Sequence, residues 1–208
     1  MSVQIQAHDL MMRFGRKVLF RNLSFSIADG EVVAVTGANG SGKSTLVKIM
    51  AGLLRPYKGE IELNVGGKRI PFEERALLTG LVAPYLNVYD GFSLRENLQF
   101  IARARTLPEA ATRIPEVIEQ VQLKASADAY VQTYSSGMRQ RARFAAALLA
   151  NPPILLLDEP TSNLDETGKR MVWEVIRAAK ADGKLVIVAT NEADEAAKCD
   201  RRIAVAEN

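Results

Sequence analysis

The chain has 208 residues, 48% hydrophobic and 25% charged, with a net charge of +3. That is enough apolar material for a sizeable core, and the charge balance is too mild to argue for nucleic acid, which shows as a concentrated basic face. No apolar stretch approaches the ~18 residues of a membrane-spanning helix, the start from Met1 to Leu10 lacks a basic-then-apolar leader, and one cysteine, Cys199, excludes an internal disulfide. The expectation is a cytoplasmic chain held at a membrane only through something else. His8, the sole histidine, lies in a polar stretch and reads as a surface residue, leaving little material for a zinc site.

In chain order, Val3–Ile5, Val18–Ile27 and Glu60–Val65 carry alternating or β-branched residues and predict an antiparallel edge region. Gly30 and Gly59 punctuate it, and Gly66-Gly67 reads as a turn. Val32-Val33-Ala34-Val35 predicts a buried strand, and Leu46, Val47, Ile49 and Met50 predict a helix. Between them runs Gly37-Ala38-Asn39-Gly40-Ser41-Gly42-Lys43-Ser44-Thr45. The glycines let the backbone fold tightly and turn N–H groups toward phosphates, Lys43 can reach the β and γ phosphates, and the Ser44 hydroxyl can ligate Mg2+. Strand before and helix after make this a nucleoside triphosphate site rather than a flexible glycine loop.

From Ser93 to about Ala150 the pattern is helical, with Leu94, Leu98 and Ile101 on one face and Pro108 and Pro115 expected to break it into pieces. Tyr134-Ser135-Ser136-Gly137-Met138-Arg139-Gln140 lies inside this stretch, before a helix carrying Phe144, Leu148 and Leu149. Ser and Gly at a helix start expose N–H groups that can seat an anion, although taken alone the segment reads first as a plain serine cap. Arg139, Arg141 and Arg143 are expected mostly on a solvated helix face. Ile154-Leu155-Leu156-Leu157-Asp158-Glu159-Pro160 is a buried strand delivering two acids to a sheet edge. Asp158 can hold a Mg2+ shell and Glu159 can polarise an attacking water, whereas alone the pair could be a solvated cap. A helix through Met171, Val172, Val175, Ile176 and Ala179 and a strand over Leu185–Ala189 follow. Internal repeats are absent, which points to one cassette rather than a tandem pair.

Taken in this order, the three segments resemble the ATP-binding cassette (ABC) ATPases, from about Phe14 to Asn191. Residues 37–45 match the family's Walker A motif, residues 154–160 its Walker B motif, and 134–138 its Leu-Ser-Gly-Gly-Gln signature. Ser135 and Gly137 match that signature, while Tyr134, Ser136 and Met138 depart from it. Ser162-Asn163-Leu164-Asp165 is similar to the D-loop, and Phe14 stands where an aromatic stacks on adenine. The implied fold is α/β, a P-loop NTPase of the ABC type with a mixed sheet core, an antiparallel β edge region and a helical subdomain at roughly 92–150 within a single nucleotide-binding domain over 1–208. The implied cofactors are ATP and Mg2+. Gly37 to Thr45, Phe14, Ser135 and Gly137 would bind nucleotide, Ser44 and Asp158 the metal, and Glu159, Lys43 and Asn191 would act in hydrolysis.

Two positions depart from the family. In Gly80-Leu81-Val82-Ala83-Pro84-Tyr85 the residue aligned with the Q-loop glutamine is Pro84, which has no polar side-chain atom, and Asn87 is a nearby substitute. The switch histidine is replaced by Asn191, which can donate a hydrogen bond but cannot carry a proton.

The resemblance further implies a second cassette, so that Ser135 and Gly137 of one subunit meet the γ phosphate held by Lys43 and Ser44 of the other, most simply in a homodimer. It also implies a separate transmembrane permease subunit, with the chain peripheral at the inner face of the membrane and no nucleic acid partner. The Tyr-Ser-Ser-Gly-Met and Ala-Thr-Asn-Glu variants look most like the haem-exporter cassettes of cytochrome c maturation. Polysaccharide-export cassettes share the first variant, some adding a C-terminal sugar-binding domain for which Asn208 leaves no room. A regulatory nucleotide binder with little hydrolysis, and a mechanical ATPase acting on DNA or ribosomes, are the alternatives from other classes.

Overall fold

Side-chain alternation along three buried strands divides the interior in two. In the strand Ile154–Asp158, Leu155 and Leu157 enter one core while Ile154 and Leu156 enter the other, and Leu185–Thr190 alternates likewise. Strands buried on both faces read as unbroken apolar runs, which is why these segments carry no polar alternation.

The computed structural model describes residues 2–205; the expected chain ends at Met1 and Asn208 lie outside that range. In order come β1 (Val3–Phe14), β2 (Lys17–Ala28), β3 (Val32–Thr36), α1 (Lys43–Met50), β4 (Lys58–Val65), β5 (Lys68–Arg69) and β6 (Thr79–Val82). The helices α2 (Leu94–Ala104), α3 (Ala110–Gln120) and α4 (Ser136–Leu148) follow, then β7 (Ile154–Asp158), α5 (Glu166–Ala181), β8 (Leu185–Thr190), α6 (Ala193–Ala197) and β9 (Arg201–Ala204). The sheet core and the antiparallel edge region expected from sequence form two sheets. One is five-stranded and wholly parallel, ordered β6-β7-β8-β3-β9; the other is antiparallel, ordered β2-β1-β4-β5. The antiparallel sheet and α1 share one core with the parallel sheet, and α2 to α5 share the other.

The hairpin glycines behave as their sequence suggests, Gly66 and Gly67 both having positive φ between β4 and β5. Gly59 does not punctuate but lies inside β4 with φ +81, where a Cβ would stand 2.4 Å from the carbonyl oxygens of His8 and Asp9. It permits the register shift between β1 and β4. Pro108 separates α2 from α3 as expected, but Pro115 sits inside α3 instead of breaking it. The residue is exposed, so water can serve the carbonyl its missing N–H leaves unpaired, while Ile114, Val117 and Ile118 anchor the opposite face. The start at Ser93 is a full capping box, its hydroxyl accepting from the Glu96 amide and the Glu96 carboxylate accepting from the Ser93 amide.

Candidate nucleotide site

The strand order brings the functional segments together. β8 lies between β3 and β7, pairing Thr36 with Thr190 and Asp158 with Ala189. The C-terminal ends of three adjacent parallel strands therefore carry the glycine loop, Asn191 and the two acids. In open parallel sheets this edge is where ligands are held.

The glycine loop needs its glycines for stated reasons. Gly37 has φ +154, and a Cβ there would lie 2.4 Å from the Val205 carbonyl oxygen and 2.5 Å from Ser41 Oγ. Gly42, left-handed with φ 105, opens α1, where no side chain caps the helix. Phe20 and Leu19 of β2 press on Gly42 from behind. Lys43 is 6% exposed, and its Nζ donates to the carbonyls of Gly37 at 2.9 Å and Ala38 at 3.2 Å. Ser44 and Thr45 follow half-buried on the first turn, and Gly40 is exposed at the crest. Phe14 ends β1 54% exposed, in the hairpin that enters β2.

Asp158 ends β7 only 1% exposed, and among the described residues neither of its buried carboxylate oxygens has a hydrogen-bond partner. Burial pushes its carboxyl above the ordinary range, opposed by the Ser44 hydroxyl beside it and by Lys43 and Lys48. A buried acid left unpaired is costly, and a carboxylate with a neighbouring hydroxyl is a hard oxygen donor set of the kind Mg2+ takes. The residues therefore fit the metal, with Ser44 and Asp158 as the groups that would hold it.

Glu159 follows in a left-handed conformation, φ 50, unusual for a non-glycine residue. Its amide donates to the Ala189 carbonyl at 2.9 Å, and burial, then Asp158, Glu195 and Glu192, raise its carboxyl while Lys43 opposes. A groove of about 910 Å3 opens beside it, walled by Ser162, Asn163 and Leu164 among others, and the glycine loop is not among its walls.

Asn191 sits against that loop. Its Nδ2 donates to Asn39 Oδ1 at 3.2 Å, and together with Gly37 and Ala38 the pair lines a cavity of about 480 Å3. Ser135 and Gly137 lie at the start of α4 and are not among the walls of that cavity. Ser135 Oγ accepts from the Met138 amide at 3.2 Å, and a Cβ on Gly137 would come within 3.2 Å of the Asn163 carbonyl oxygen. Tyr134 is buried where the family has leucine, and its hydroxyl donates to the Ser126 carbonyl at 2.6 Å.

Two features escaped the sequence. Pro84 is exposed beyond β6, and the next residue, Tyr85, faces the site: Lys48 Nζ lies 4.0 Å from its ring centre, and burial with the nearby Asp158 charge pushes its hydroxyl up to about 12. Its position directly after Pro84, one residue beyond the aligned place, is the signal that could have found it. Arg139, Arg141 and Arg143 are not a solvated face but are half-buried and bonded to backbone carbonyls. Arg139 reaches Gln132 at 3.0 Å and Arg143 reaches Leu86 at 2.6 Å. Asn87 is engaged by Arg143 at 2.8 Å.

Comparison with known proteins agrees with this geometry. The family model described as ABC transporter matches residues 20–162. Among solved structures, an ATP-binding subunit of an ABC transporter superposes with a TM-score of 0.85 at 27% identity, covering 96% of this chain and 85% of that one. A dimeric ATP-binding cassette in a post-hydrolysis state bound to ADP and Pi gives 0.83 at 25% identity, covering 96% and 93%. The chain belongs to the ABC transporter family, as one of its ATP-binding cassettes. Among curated relatives, Nod factor export ATP-binding protein I of Bradyrhizobium diazoefficiens is 38% identical over 196 residues, covering 90% of this chain. The protein of the same name from Ralstonia nicotianae is 33% identical over 208 residues, covering 98%. The chain spans 62% and 64% of the lengths of these two relatives.

Proposed function

We propose that the chain binds MgATP and hydrolyses it as the ATP-binding subunit of an exporter, with residues 1–208 acting as a single cassette. The observation that carries the reading is Asp158, a buried carboxylate with two unpaired oxygens beside Ser44 and the Lys43 loop. When bound, the metal supplies charge to the phosphate oxygens. Lys43, released from the loop carbonyls, bonds the β and γ phosphates, and the amides of the glycine loop cradle them. Glu159 orients water and accepts its proton, a role that its raised carboxyl suits by moving its basicity toward neutrality.

The site is half a site. Ser135 and Gly137 lie at the entry to α4 and do not line the cavity at the glycine loop, and in this reading they meet the nucleotide of a second copy; the dimeric structure with ADP and Pi described above supports it. Hydrolysis removes the charge bridging the pair and loosens it, a differential binding that can drive a partner. Among the described residues no helix is long and apolar enough to cross a membrane. A separate membrane subunit is part of the proposal, as the family implies. The names of the relatives favour export. Haem as cargo is the narrower reading and rests on the Tyr134–Met138 and Ala189–Glu192 variants alone.

Pro84 and Asn191 favour a second reading, a regulatory nucleotide binder that scarcely hydrolyses. Phosphate release from MgATP separates the two: turnover by the wild type well above that of Glu159→Gln supports the ATPase, and equal rates support the binder.

A further inference from the structure

Arg143 spends all three guanidinium nitrogens on one task. Nε donates to the Leu86 carbonyl at 2.6 Å, Nη2 to Asn87 Oδ1 at 2.8 Å, and Nη1 to Gln140 Oε1 at 2.8 Å. Gln140, 1% exposed, then donates from Nε2 to the Pro160 carbonyl at 3.0 Å. A hydrogen-bonded bridge thus runs from the loop carrying Tyr85 to the residue after Glu159. Because Arg143 has no acceptor atom, its bond fixes which end of the Gln140 amide is oxygen and leaves the NH2 end for Pro160.

What the bridge holds matters because Glu159 is strained. A non-glycine residue at φ 50 is strained and persists only where neighbouring bonds over-determine it. On one side the Glu159 amide is tied to Ala189; on the other the Ser162 amide bonds back to the Glu159 carbonyl at 3.2 Å. Gln140 supplies the next fixed point, at Pro160. At the far end, fixing Leu86 and Asn87 fixes Tyr85 beside Lys48 and Asp158. Burial, with Arg139 adding like charge, lowers the pKa of Arg143, a cost that its three hydrogen bonds offset.

We propose that Arg143 is a positioning residue for hydrolysis: acting through Gln140, it locks the loop carrying Tyr85 and the turn carrying Glu159 into one unit. This rests on the ATPase reading above, and its test has an arm that does not.

Arg143→Met should lower kcat about tenfold, the equivalent of losing one well-oriented hydrogen bond, while KM for MgATP stays within roughly twofold. Arg143→Lys should recover part of the loss, since an ammonium can reach some of the three acceptors but lacks the planar fork. In a Glu159→Gln background, Arg143→Met should cause no further fall in residual turnover. By hydrogen exchange, amides at 85–87 and at 159–164 should exchange faster together in Arg143→Met, although Arg143 touches only the first segment.

A raised KM with unchanged kcat, an additive loss in the Glu159→Gln background, or faster exchange confined to 85–87 would each overturn the proposal. If the wild type releases no more phosphate than Glu159→Gln, the ATPase reading fails instead, and the exchange pattern alone decides whether the bridge exists.

Discussion

Two helices in this chain begin at candidate phosphate contacts, and they begin in opposite ways. Helix α1 opens from Gly42 at φ 105 with no side chain capping it, its loop held in conformations that side chains rarely adopt. Helix α4 opens from Ser135 in ordinary extended geometry, with the hydroxyl already bonded to the Met138 amide. The first leaves backbone donors free and gives up the conformational economy of ordinary residues to do so. The second satisfies itself and has only the Ser135 hydroxyl proton and its remaining amides to offer. A glycine-built cradle at one end and a relaxed, self-capped contact at the other fit the proposed cycle, in which one copy holds ATP and a second closes on it.

The largest effect should fall beside the glycine-built cradle. Glu159→Gln should reduce phosphate release by about a hundredfold or more, the range general-base catalysis supplies, while leaving ATP bound. Light scattering with MgATP should show more dimer in this variant than with ADP. The raised carboxyl gives this a pH signature: below its pKa the group is protonated and cannot accept the water proton, so the rate of the wild type rises with pH through a value above the ordinary glutamate range. The residual rate of Glu159→Gln should lack that limb.

Next in size, Lys43→Ala against Ser135→Ala sharpens the contrast between the helix starts. Removing the cradle's only full charge should weaken ATP roughly a hundredfold by calorimetry. Ser135→Ala should leave the affinity of a single cassette unchanged, destabilise α4 by about 1 kcal/mol, and abolish ATP-driven pairing. Equal losses of affinity in the two variants would place Ser135 in its own chain's site and dissolve the distinction.

The contrast also explains what was legible beforehand. The cradle and the two acids could be read because their chemistry is local: strand, glycine loop and helix are contiguous, and Asp158 and Glu159 adjoin at a strand end. Tyr85 and Arg143 could not, since their roles depend on which residues α4 carries to the end of β6, and Arg143 and Leu86 stand 57 positions apart. The same distance effect misread the arginines, whose partners come from Leu86, Gln122 and Gln132. Pro115 misled for a different reason: its helix-breaking character was weighed without knowing that its face is solvated.

Asp158→Asn should move stability and function in opposite directions. With a folded pKa raised above the ordinary 3.8, the group favours the folded state in acid, and that contribution is lost as pH rises through the folded value. Above the folded value the ionised carboxylate is therefore a liability, and there the amide should raise the Tm of the nucleotide-free protein, at about 2–4 °C per kcal/mol for a chain of this size. The gain should shrink as pH falls. The same variant should lose the further rise in Tm that Mg2+ with ATP gives the wild type, because the removed charge is the one the cation would meet.

The smallest effect should be at Asn191, whose single visible bond, to Asn39 at 3.2 Å, joins two exposed side chains. Such a bond contributes little to stability, so Asn191→Ala should leave the Tm nearly unchanged. Its effect belongs to turnover: the amide sits at the lip of the glycine loop, where it can donate to a γ-phosphate oxygen, and alanine removes that donor. Hydrolysis should fall by about threefold to tenfold, the equivalent of one neutral hydrogen bond. Asn191→His should maintain or raise the rate, because imidazole keeps a donor and adds the capacity for charge at the same place. Measured side by side by phosphate release, the order histidine, asparagine, alanine supports a γ-phosphate contact. An alanine variant as fast as the wild type would leave the bond to Asn39 as a surface contact and remove Asn191 from the mechanism.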